Sequence, residues 1–193
     1  GVTYADGKFC WKERPLANGE LFNLASSLQV PVDYVSEIHL AACGLMRSLA
    51  ALLDQGVILV LDYGFGAAEY YHPQRNRGTL MCHYRHQAHD DPFYLPGLQD
   101  ITSHVNFSSI MESAGDLRLL GYTTQANFLV NCGITEILGE TAPDNAAYLP
   151  LASAAQKLLS PAEMGELFKA LALGKGVSQQ LLGFMSGDKS RML

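Results

Sequence analysis

The chain has 193 residues, of which 48% are hydrophobic and 17% charged, the balance of one soluble globular domain and not of a disordered segment. A formal net charge of -6 and an isoelectric point near 5.4 give no electrostatic footprint for nucleic acid or for an anionic membrane surface. The longest apolar run is far shorter than the roughly 20 residues that span a bilayer. We therefore expect neither nucleic acid nor membrane as a partner.

The termini and the cysteines bear on the compartment. The opening GVTYADGKFCWKERP lacks the basic start and apolar stretch of a secretory signal, and we expect it to be interior sequence of a longer protein. No Cys-x-x-Cys pair occurs, so neither a zinc knuckle nor a disulfide framework is predicted. The cysteines are expected to be reduced thiols in a cytosol-like compartment.

The first half of the chain predicts a hairpin, a helix and a strand. YADGKFCW has an Asp-Gly turn between residues that favour strands, which indicates a β-hairpin. Apolar residues at helical spacing over 33–56 predict a helix with Asp33 or Ser36 as N-cap and Gly56 as its stop. VILVLDYG follows with a continuous apolar run, which is typical of a strand covered on both faces of a parallel sheet.

The second half continues the α/β alternation. FGAAEYYHPQRNR is predicted as a loop or short helix, GTLMCHYRH as extended and DPFYLPGLQ as a loop. A helix capped by Asn106, a strand in LRLLGYTTQ and a helix in ANFLVNCGITEIL come next. Residues 152–159 and SPAEMGELFKALAL are predicted as helices, and QQLLGFMSGD as a last, short strand.

A cluster of histidines and aspartates is the first candidate site. Its members are His83, His86, His89, Asp90 and Asp91. These residue types ligate zinc, manganese or iron, but their spacing is unusual for a metal site, and residues three apart in an extended segment point to opposite faces. We favour a polar, substrate-facing loop and predict no metal. A metal hydrolase built on the cluster stays as the remote alternative.

Two further segments carry polar residues where a site is expected. Asp62 and Tyr63 end the strand VILVLDYG, and ligands of open α/β sheets bind beyond the carboxyl ends of the strands. The alternative is that Asp62 only caps the following turn. GLQDITSHVNF holds Gln99, Asp100 and His104 between a loop and a helix, where helix capping is an equally good explanation. No nucleophile elbow, phosphate-binding loop or dinucleotide fingerprint occurs.

Read together, these blocks resemble a known family. The segments in order are YVSEI, GVILVLDYG, EYY, RGTLMCHYRHQAHDDP, PGLQDITSHVNF, TTQANFLVNCGI and MGELFKALALGKG. As a set they are similar to the second half of the MidA-like S-adenosylmethionine-dependent methyltransferases.

The resemblance implies an α/β fold: the second half of a Rossmann-like class I methyltransferase sheet with flanking helices and an N-terminal β-hairpin. VILVLDYG would be its fifth strand, with LRLLGY and LLGFM as the sixth and seventh. The family's glycine-rich cofactor loop lies upstream of such a hairpin. Residues 1–193 would then be the C-terminal part of a single methyltransferase domain, with S-adenosylmethionine as cofactor of the intact protein and no cofactor-binding residue in this chain.

The resemblance also implies a function. Eukaryotic relatives are associated with complex I assembly in mitochondria and with methylation of protein arginine. A protein acceptor follows, with a homodimer left open and a location in the bacterial cytoplasm or, in a eukaryote, the mitochondrial matrix. The alternative is a non-catalytic assembly factor or protein-binding module of the same fold.

The site residues expected from the matching motifs fall into two groups. The catalytic ones are Asp62, Asp100 and His89. The substrate-binding ones are Tyr63, His86, Asp90 and Gln99. The acids would hold a guanidinium group in a fixed orientation, while a histidine orders the pocket or accepts a proton.

Overall fold

The computed structural model describes all 193 residues, which form nine strands and seven helices. The strands are β1 (Val2–Ala5), β2 (Lys8–Trp11), β3 (Gly56–Phe65), β4 (Met81–Tyr84), β5 (Gln87–His89), β6 (Asp100–Thr102), β7 (Val105–Asn106), β8 (Arg118–Thr124) and β9 (Phe168–Lys175). The helices are α1 (Glu20–Ser27), α2 (Leu40–Leu52), α3 (Ala67–Tyr70), α4 (Phe107–Glu112), α5 (Gln125–Asn131), α6 (Ile134–Gly139) and α7 (Tyr148–Leu159). None of these helices has the length and apolar character needed to cross a bilayer.

The chain divides into two compact units. The first unit consists of Gly1–Leu40 and Tyr71–His104, and the second of Ala41–Tyr70 and Val105–Leu193. The first contains the β1–β2 hairpin and an antiparallel sheet in the order β5-β4-β6. The second contains a sheet in the order β7-β3-β9-β8. Each unit therefore has a sheet of its own.

The predicted N-terminal hairpin is confirmed. β1 and β2 pair antiparallel, and their two-residue turn is Asp6-Gly7, with φ values of 50° and 79°. Positive φ at both turn residues defines the turn type whose twist matches that of the flanking strands. Helix α1, by contrast, lies in a polar stretch for which the sequence predicted no element.

The helix predicted over 33–56 begins later than expected, at Leu40, so neither Asp33 nor Ser36 is its N-cap. The reason is that Glu37, three residues before the helix, forms hydrogen bonds with another segment of the first unit. The Glu37 carboxylate accepts hydrogen bonds from the backbone N–H groups of Thr79 (2.9 and 3.1 Å) and Leu80 (2.9 Å) and from the Thr79 hydroxyl (3.0 Å). Such charge-assisted bonds outweigh one more turn of helix.

The strand predicted in VILVLDYG is confirmed as β3, but its environment differs from the prediction. β3 pairs antiparallel with β9 from Gly56 to Tyr63, and parallel with β7 only at Gly64 and Phe65. Its side chains alternate in burial, and Val57, Leu59 and Leu61 are 38–46% exposed. One face of β3 is thus uncovered by this chain, whereas the continuous apolar run had predicted coverage on both faces.

The helix predicted in SPAEMGELFKALAL is wrong throughout: residues 161–167 form turns, and Phe168–Lys175 forms β9 in the middle of the sheet. Alanine, leucine and lysine favour helices, but here they alternate between two buried faces. Leu171 and Leu173 belong to one core, and Ala170 and Ala172 to the other. Burial on both sides of the sheet therefore overrides the intrinsic preference.

The last predicted strand, QQLLGFMSGD, is also wrong. It contains a 3₁₀ turn at Leu182–Phe184, and the sheet position expected for LLGFM is taken by β9. Phe184 packs edge-on against Phe128 at 5.4 Å and belongs to the core that contains Ala170 and Ala172. The apolar residues of this segment therefore cover the sheet and do not extend it.

Most of the remaining elements lie where they were predicted, with different bounds. Asn106 caps α4 by accepting a hydrogen bond from Ser109 N at 3.3 Å. β8 corresponds to LRLLGYTTQ. The single helix predicted in ANFLVNCGITEIL is divided into α5 and α6 by Gly133, whose φ of 86° is a left-handed conformation. The sheet of the second unit thus lies between a helical layer containing α2 and α4 and another containing α5.

Candidate functional site

The carboxyl end of β3 carries two glycines that the local packing requires. A Cβ on Gly64 would lie 2.9 Å from both the C and N atoms of Val105, and a Cβ on Gly66 would lie 3.0 Å from Met192 C. Both distances are too short for a side chain. The chain thus passes closely between β7 and the C-terminal segment at this point.

Asp62 is half-buried, and one of its carboxylate oxygens is hydrogen-bonded within the protein. Its Oδ1 accepts a hydrogen bond from Tyr63 N at 2.8 Å, whereas Oδ2 has no hydrogen-bond partner. This contact lies within β3, which continues to Phe65, so it is not the cap on a following turn that the alternative interpretation expected. The second oxygen remains available to a ligand.

Asp62 belongs to a polar row across three strands. Lys169 on β9 lies opposite Asp62 on β3 and also opposite Thr124 on β8. Because directly opposed residues share a face, the three side chains project from the same side of the sheet. Thr124 caps α5 by accepting a hydrogen bond from Asn127 N at 3.2 Å. The sequence had indicated only the first member of this row.

Lys169 is the residue that the sequence analysis missed. Only 4% of it is exposed, and its ammonium donates hydrogen bonds to the carbonyl oxygens of Glu166 and Leu167 and lies 5.4 Å from the centre of the Phe65 ring. Burial lowers the pKa of the Lys169 ammonium, and the nearby carboxylates of Glu166 and Glu69 oppose this shift. The available signal was a single lysine inside the apolar segment FKALAL.

Aromatic residues lie on both faces of the sheet at this end, with the Tyr63–Phe168 pair on the face opposite the row and Tyr122 on the same face as the row. Tyr63 packs edge-on against Phe168 at 5.3 Å, which fixes the second residue of the Asp-Tyr pair. Tyr122 is 1% exposed, and its hydroxyl has no hydrogen-bond partner. Burial raises the pKa of Tyr122, with smaller contributions from Glu69 and Glu166, so its hydroxyl stays protonated. This end of the sheet thus combines a carboxylate, a buried cation and a buried neutral donor.

The histidine cluster lies in the first unit, on a hairpin and not in the loop that was expected. β4 and β5 pair antiparallel and are joined by Arg85 and His86, whose φ values are 49° and 64°. His86 is exposed at the tip, and His83 is exposed on β4. No group of three His, Cys, Asp or Glu side chains in the structure could hold a metal ion. The geometry therefore does not favour the metal-hydrolase alternative.

His89 is the half-buried member of the cluster. Its Nε2 is inaccessible and has no hydrogen-bond partner, and its ring packs edge-on against Tyr94 at 5.3 Å. Together with Tyr84 and Asp91 these residues line a cleft of about 300 Å³. Cys82, opposite His89 in the sheet, is fully buried. Burial, followed by the Asp91 and Asp90 carboxylates, raises the pKa of the Cys82 thiol, so Cys82 is a core residue.

The other candidate residues lie close to this hairpin in the chain. Asp100 on β6 is opposite His83, and both side chains are exposed. Asp90 is exposed just after β5. Gln99 donates from Nε2 to the carbonyl oxygens of Pro92 (2.8 Å) and Asp91 (3.4 Å), while its Oε1 is buried without a partner. Asp62 and Tyr63 therefore belong to the second unit, and the other five candidates belong to the first.

The mixed sheet, with β9 antiparallel between β3 and β8 and polar residues at the carboxyl end of β3, defines an α/β domain of the Rossmann-like methyltransferase class. Comparison with known families gives the more specific assignment. The chain belongs to the family described as putative S-adenosyl-L-methionine-dependent methyltransferase, whose model matches residues 1–123. The resemblance inferred from the sequence motifs is thereby confirmed.

Solved structures of similar proteins agree with this assignment. A likely methyl transfer enzyme from Burkholderia thailandensis, bound to S-adenosyl-homocysteine, is 49% identical with a TM-score of 0.93, over 100% of this chain and 51% of that one. A native structure from the same organism gives the same identity and TM-score, over 100% of this chain and 52% of that one. The α/β methyltransferase fold expected from the sequence is confirmed.

Curated relatives include two arginine methyltransferases. Protein arginine methyltransferase NDUFAF7, mitochondrial, from Danio rerio is 33% identical over 76% of this chain and 35% of its own length. The NDUFAF7 homolog from Drosophila melanogaster is 30% identical over 64% of this chain and 28% of its own length. The chain thus spans about half the length of the solved relatives and about a third of the curated ones.

Proposed function

We propose that this chain is the C-terminal part of an S-adenosylmethionine-dependent protein arginine methyltransferase and forms the acceptor side of its active site. Family membership and 49% identity to a protein bound to S-adenosyl-homocysteine support methyl transfer as the reaction. The names of the NDUFAF7 relatives support arginine in a protein as the acceptor, and mitochondria as the location if the chain is eukaryotic. A bacterial protein of this kind would act in the cytoplasm.

The uncovered side of β3 supports the view that a second part of the protein completes the sheet. From Gly56 to Tyr63, β3 pairs only with β9, so its other edge has no strand partner. The face that carries Val57, Leu59 and Leu61 is exposed as well. An open edge beside an apolar face is a surface that folded proteins normally cover. We propose that a strand and a helix of the cofactor-binding part cover it.

The residues present do not fit the cofactor. Glycines at the carboxyl ends of strands serve cofactors when they leave room for a close approach to the ligand, as in dinucleotide-binding turns. Here the space beside Gly64 is filled by Val105 and the space beside Gly66 by Met192. We therefore assign no cofactor-binding residue to this chain, and S-adenosylmethionine to the remainder of the intact protein.

The role proposed for Asp62 follows from its free oxygen. A guanidinium group donates hydrogen bonds in a fixed plane, and a carboxylate with one uncommitted oxygen can hold one of its N–H groups. This contact limits rotation of the acceptor and stabilises positive charge on the guanidinium group. Packing of Tyr63 against Phe168 keeps the neighbouring wall rigid.

In the first unit, His89 is proposed as the residue that orders the pocket it lines, because its Nε2 is buried and has no hydrogen-bond partner. Asp100 is proposed as a second acid, since it is exposed beside His83. His86, Asp90 and Gln99 are proposed as contacts to the protein substrate.

The first test concerns assembly. We would co-express this chain with the remainder of the parent protein and measure co-purification and gel-filtration mass. Leu59→Asp places a charge on the uncovered face of β3 and should abolish the complex, whereas Leu149→Asp, at an exposed leucine of α7, should not. Equal association of both variants would refute β3 as the joining surface.

The second test concerns activity. The intact protein should transfer labelled methyl groups from S-adenosylmethionine to an arginine peptide, and not to the same peptide with citrulline. This chain alone should bind S-adenosylmethionine weakly, so a calorimetric affinity in the micromolar range, about -8 kcal/mol, would contradict our assignment of the cofactor site. A folded complex that binds the cofactor without methylating any arginine peptide would identify a non-catalytic binding module instead.

A further inference from the structure

One face of the N-terminal hairpin is apolar and exposed. The register pairs Tyr4 with Phe9 and Val2 with Trp11, and because paired residues share a face, all four side chains project from the same side. Each of them is between 44% and 65% exposed. A contiguous aromatic surface of this kind on a soluble protein indicates a binding site.

Phe93, from the loop after β5, turns this face into a cleft. Its ring is stacked near Phe9, with centroids 6.4 Å apart, and lies edge-on to Trp11 at 5.2 Å. The cleft has a volume of about 660 Å³ and is open to solvent. Its walls therefore offer several aromatic faces to a ligand that enters from outside.

The cleft contains a single carboxylate, that of Asp91. Asp91 Oδ1 accepts a hydrogen bond from Phe93 N at 2.9 Å, which fixes the side chain, while Oδ2 has no hydrogen-bond partner. Lys8 also lines the cleft. Because Lys8 pairs with Ala5, its side chain projects from the hairpin face opposite the aromatic residues. The chemistry of the aromatic face is thus that of aromatic rings beside one available negative charge.

We propose that this cleft binds an arginine side chain of the polypeptide acceptor, as a docking subsite in the first unit. The inference rests on the proposed function, which supplies the acceptor class. A guanidinium group stacks on aromatic rings and forms charge-assisted hydrogen bonds with a carboxylate, so it matches both features of the cleft. A neutral or acidic segment would leave Asp91 unpaired or repelled.

The single tryptophan of the chain is Trp11, so its fluorescence reports directly on this cleft. We would titrate this chain with a short peptide that contains arginine, and with the same peptide containing citrulline, which keeps the shape and removes the charge. We expect a saturable change in Trp11 emission with the arginine peptide, and binding by the citrulline peptide weaker by about five- to tenfold.

Substitutions inside and outside the cleft test which side chains contribute to peptide binding. Asp91→Asn keeps an oxygen for Phe93 N and removes the charge, and it should weaken binding by about five- to tenfold. Phe93→Leu keeps an apolar contact and removes the aromatic face, with an expected loss of about threefold. Asp144→Asn, at an exposed acid outside the cleft, should bind like the unchanged protein. Circular dichroism of each variant checks that it is folded.

Three outcomes would overturn the proposal. They are no emission change with the arginine peptide, equal affinity for both peptides, and an emission change that follows protein concentration together with a dimer in gel filtration. The last result would identify the face as a self-association surface. Because the titration involves neither cofactor nor methyl transfer, it can fail while the intact protein methylates arginine, and it can succeed when the protein does not.

Discussion

Gly64→Ala tests whether the close approach of β7 fixes the carboxyl end of β3. The new methyl carbon would lie 2.9 Å from the C and N atoms of Val105 and closer still to its carbonyl oxygen. These are backbone atoms, so no side chain can move aside to relieve the overlap. We expect β7 to withdraw, with loss of the Gly64–Val105 and Phe65–Asn106 pairing.

The magnitude follows from three contributions. Overpacking of a well-packed region costs about 1–3 kcal/mol. Loss of the short parallel ladder adds about 0.5–1.5 kcal/mol for each hydrogen bond. Alanine restricts the unfolded chain more than glycine does, which offsets the loss of stability by about 0.4–1 kcal/mol. The expected net loss in the free energy of unfolding is therefore about 2–4 kcal/mol.

The assay is equilibrium unfolding in urea followed by circular dichroism. Gly139→Ala is the matched control, because a Cβ there meets no atom within 4 Å and the residue ends α6 without a positive φ. That variant should be unchanged or more stable by up to about 1 kcal/mol. If the free energy of unfolding of Gly64→Ala is within about 0.5 kcal/mol of that of the unchanged chain, the close approach of β7 does not constrain the carboxyl end of β3.

Three other substitutions give separate tests. Asp62→Asn in the intact protein should keep the fold and the hydrogen bond from Tyr63 N. It should lower turnover by roughly thirty- to thousandfold, which corresponds to about 2–4 kcal/mol. A lower melting temperature with normal activity would show that Asp62 has only a structural role. Glu37→Gln removes the charge from the bonds with Thr79 and should cost about 1–3 kcal/mol in urea unfolding, whereas an unchanged midpoint would contradict this. The pKa of Lys169 is lowered in the folded state. Between this lowered pKa and the ordinary pKa of lysine, the unfolded chain therefore binds more protons than the folded chain. The free energy of unfolding should rise with pH over that range. Urea midpoints of Lys169→Met should lack that rise, and parallel pH profiles would refute a buried titrating ammonium.

Elements with short-range sequence signals could be predicted from the residues alone. The Asp6-Gly7 turn predicted the hairpin, since few other residue pairs adopt positive φ at both turn positions. Asn106 predicted the start of α4 because an amide side chain can satisfy a free backbone N–H there. The motif set around DYG also predicts the family, since it depends only on residue types and their spacing along the chain.

Which apolar segments lie inside the sheet depends on contacts between segments that are distant in the chain. FKALALGK has good helix formers, and it is a strand because β3 and β8 supply hydrogen bonds on both of its edges. The same arrangement buries Lys169 beside carbonyl oxygens and the Phe65 ring, which no spacing rule could reveal. The Glu37 carboxylate likewise ends the helix pattern early, because its partners at Thr79 and Leu80 are more than forty positions away and are brought near only by folding. Long-range hydrogen bonds and burial, which depend on where distant segments meet, set these features of the molecule.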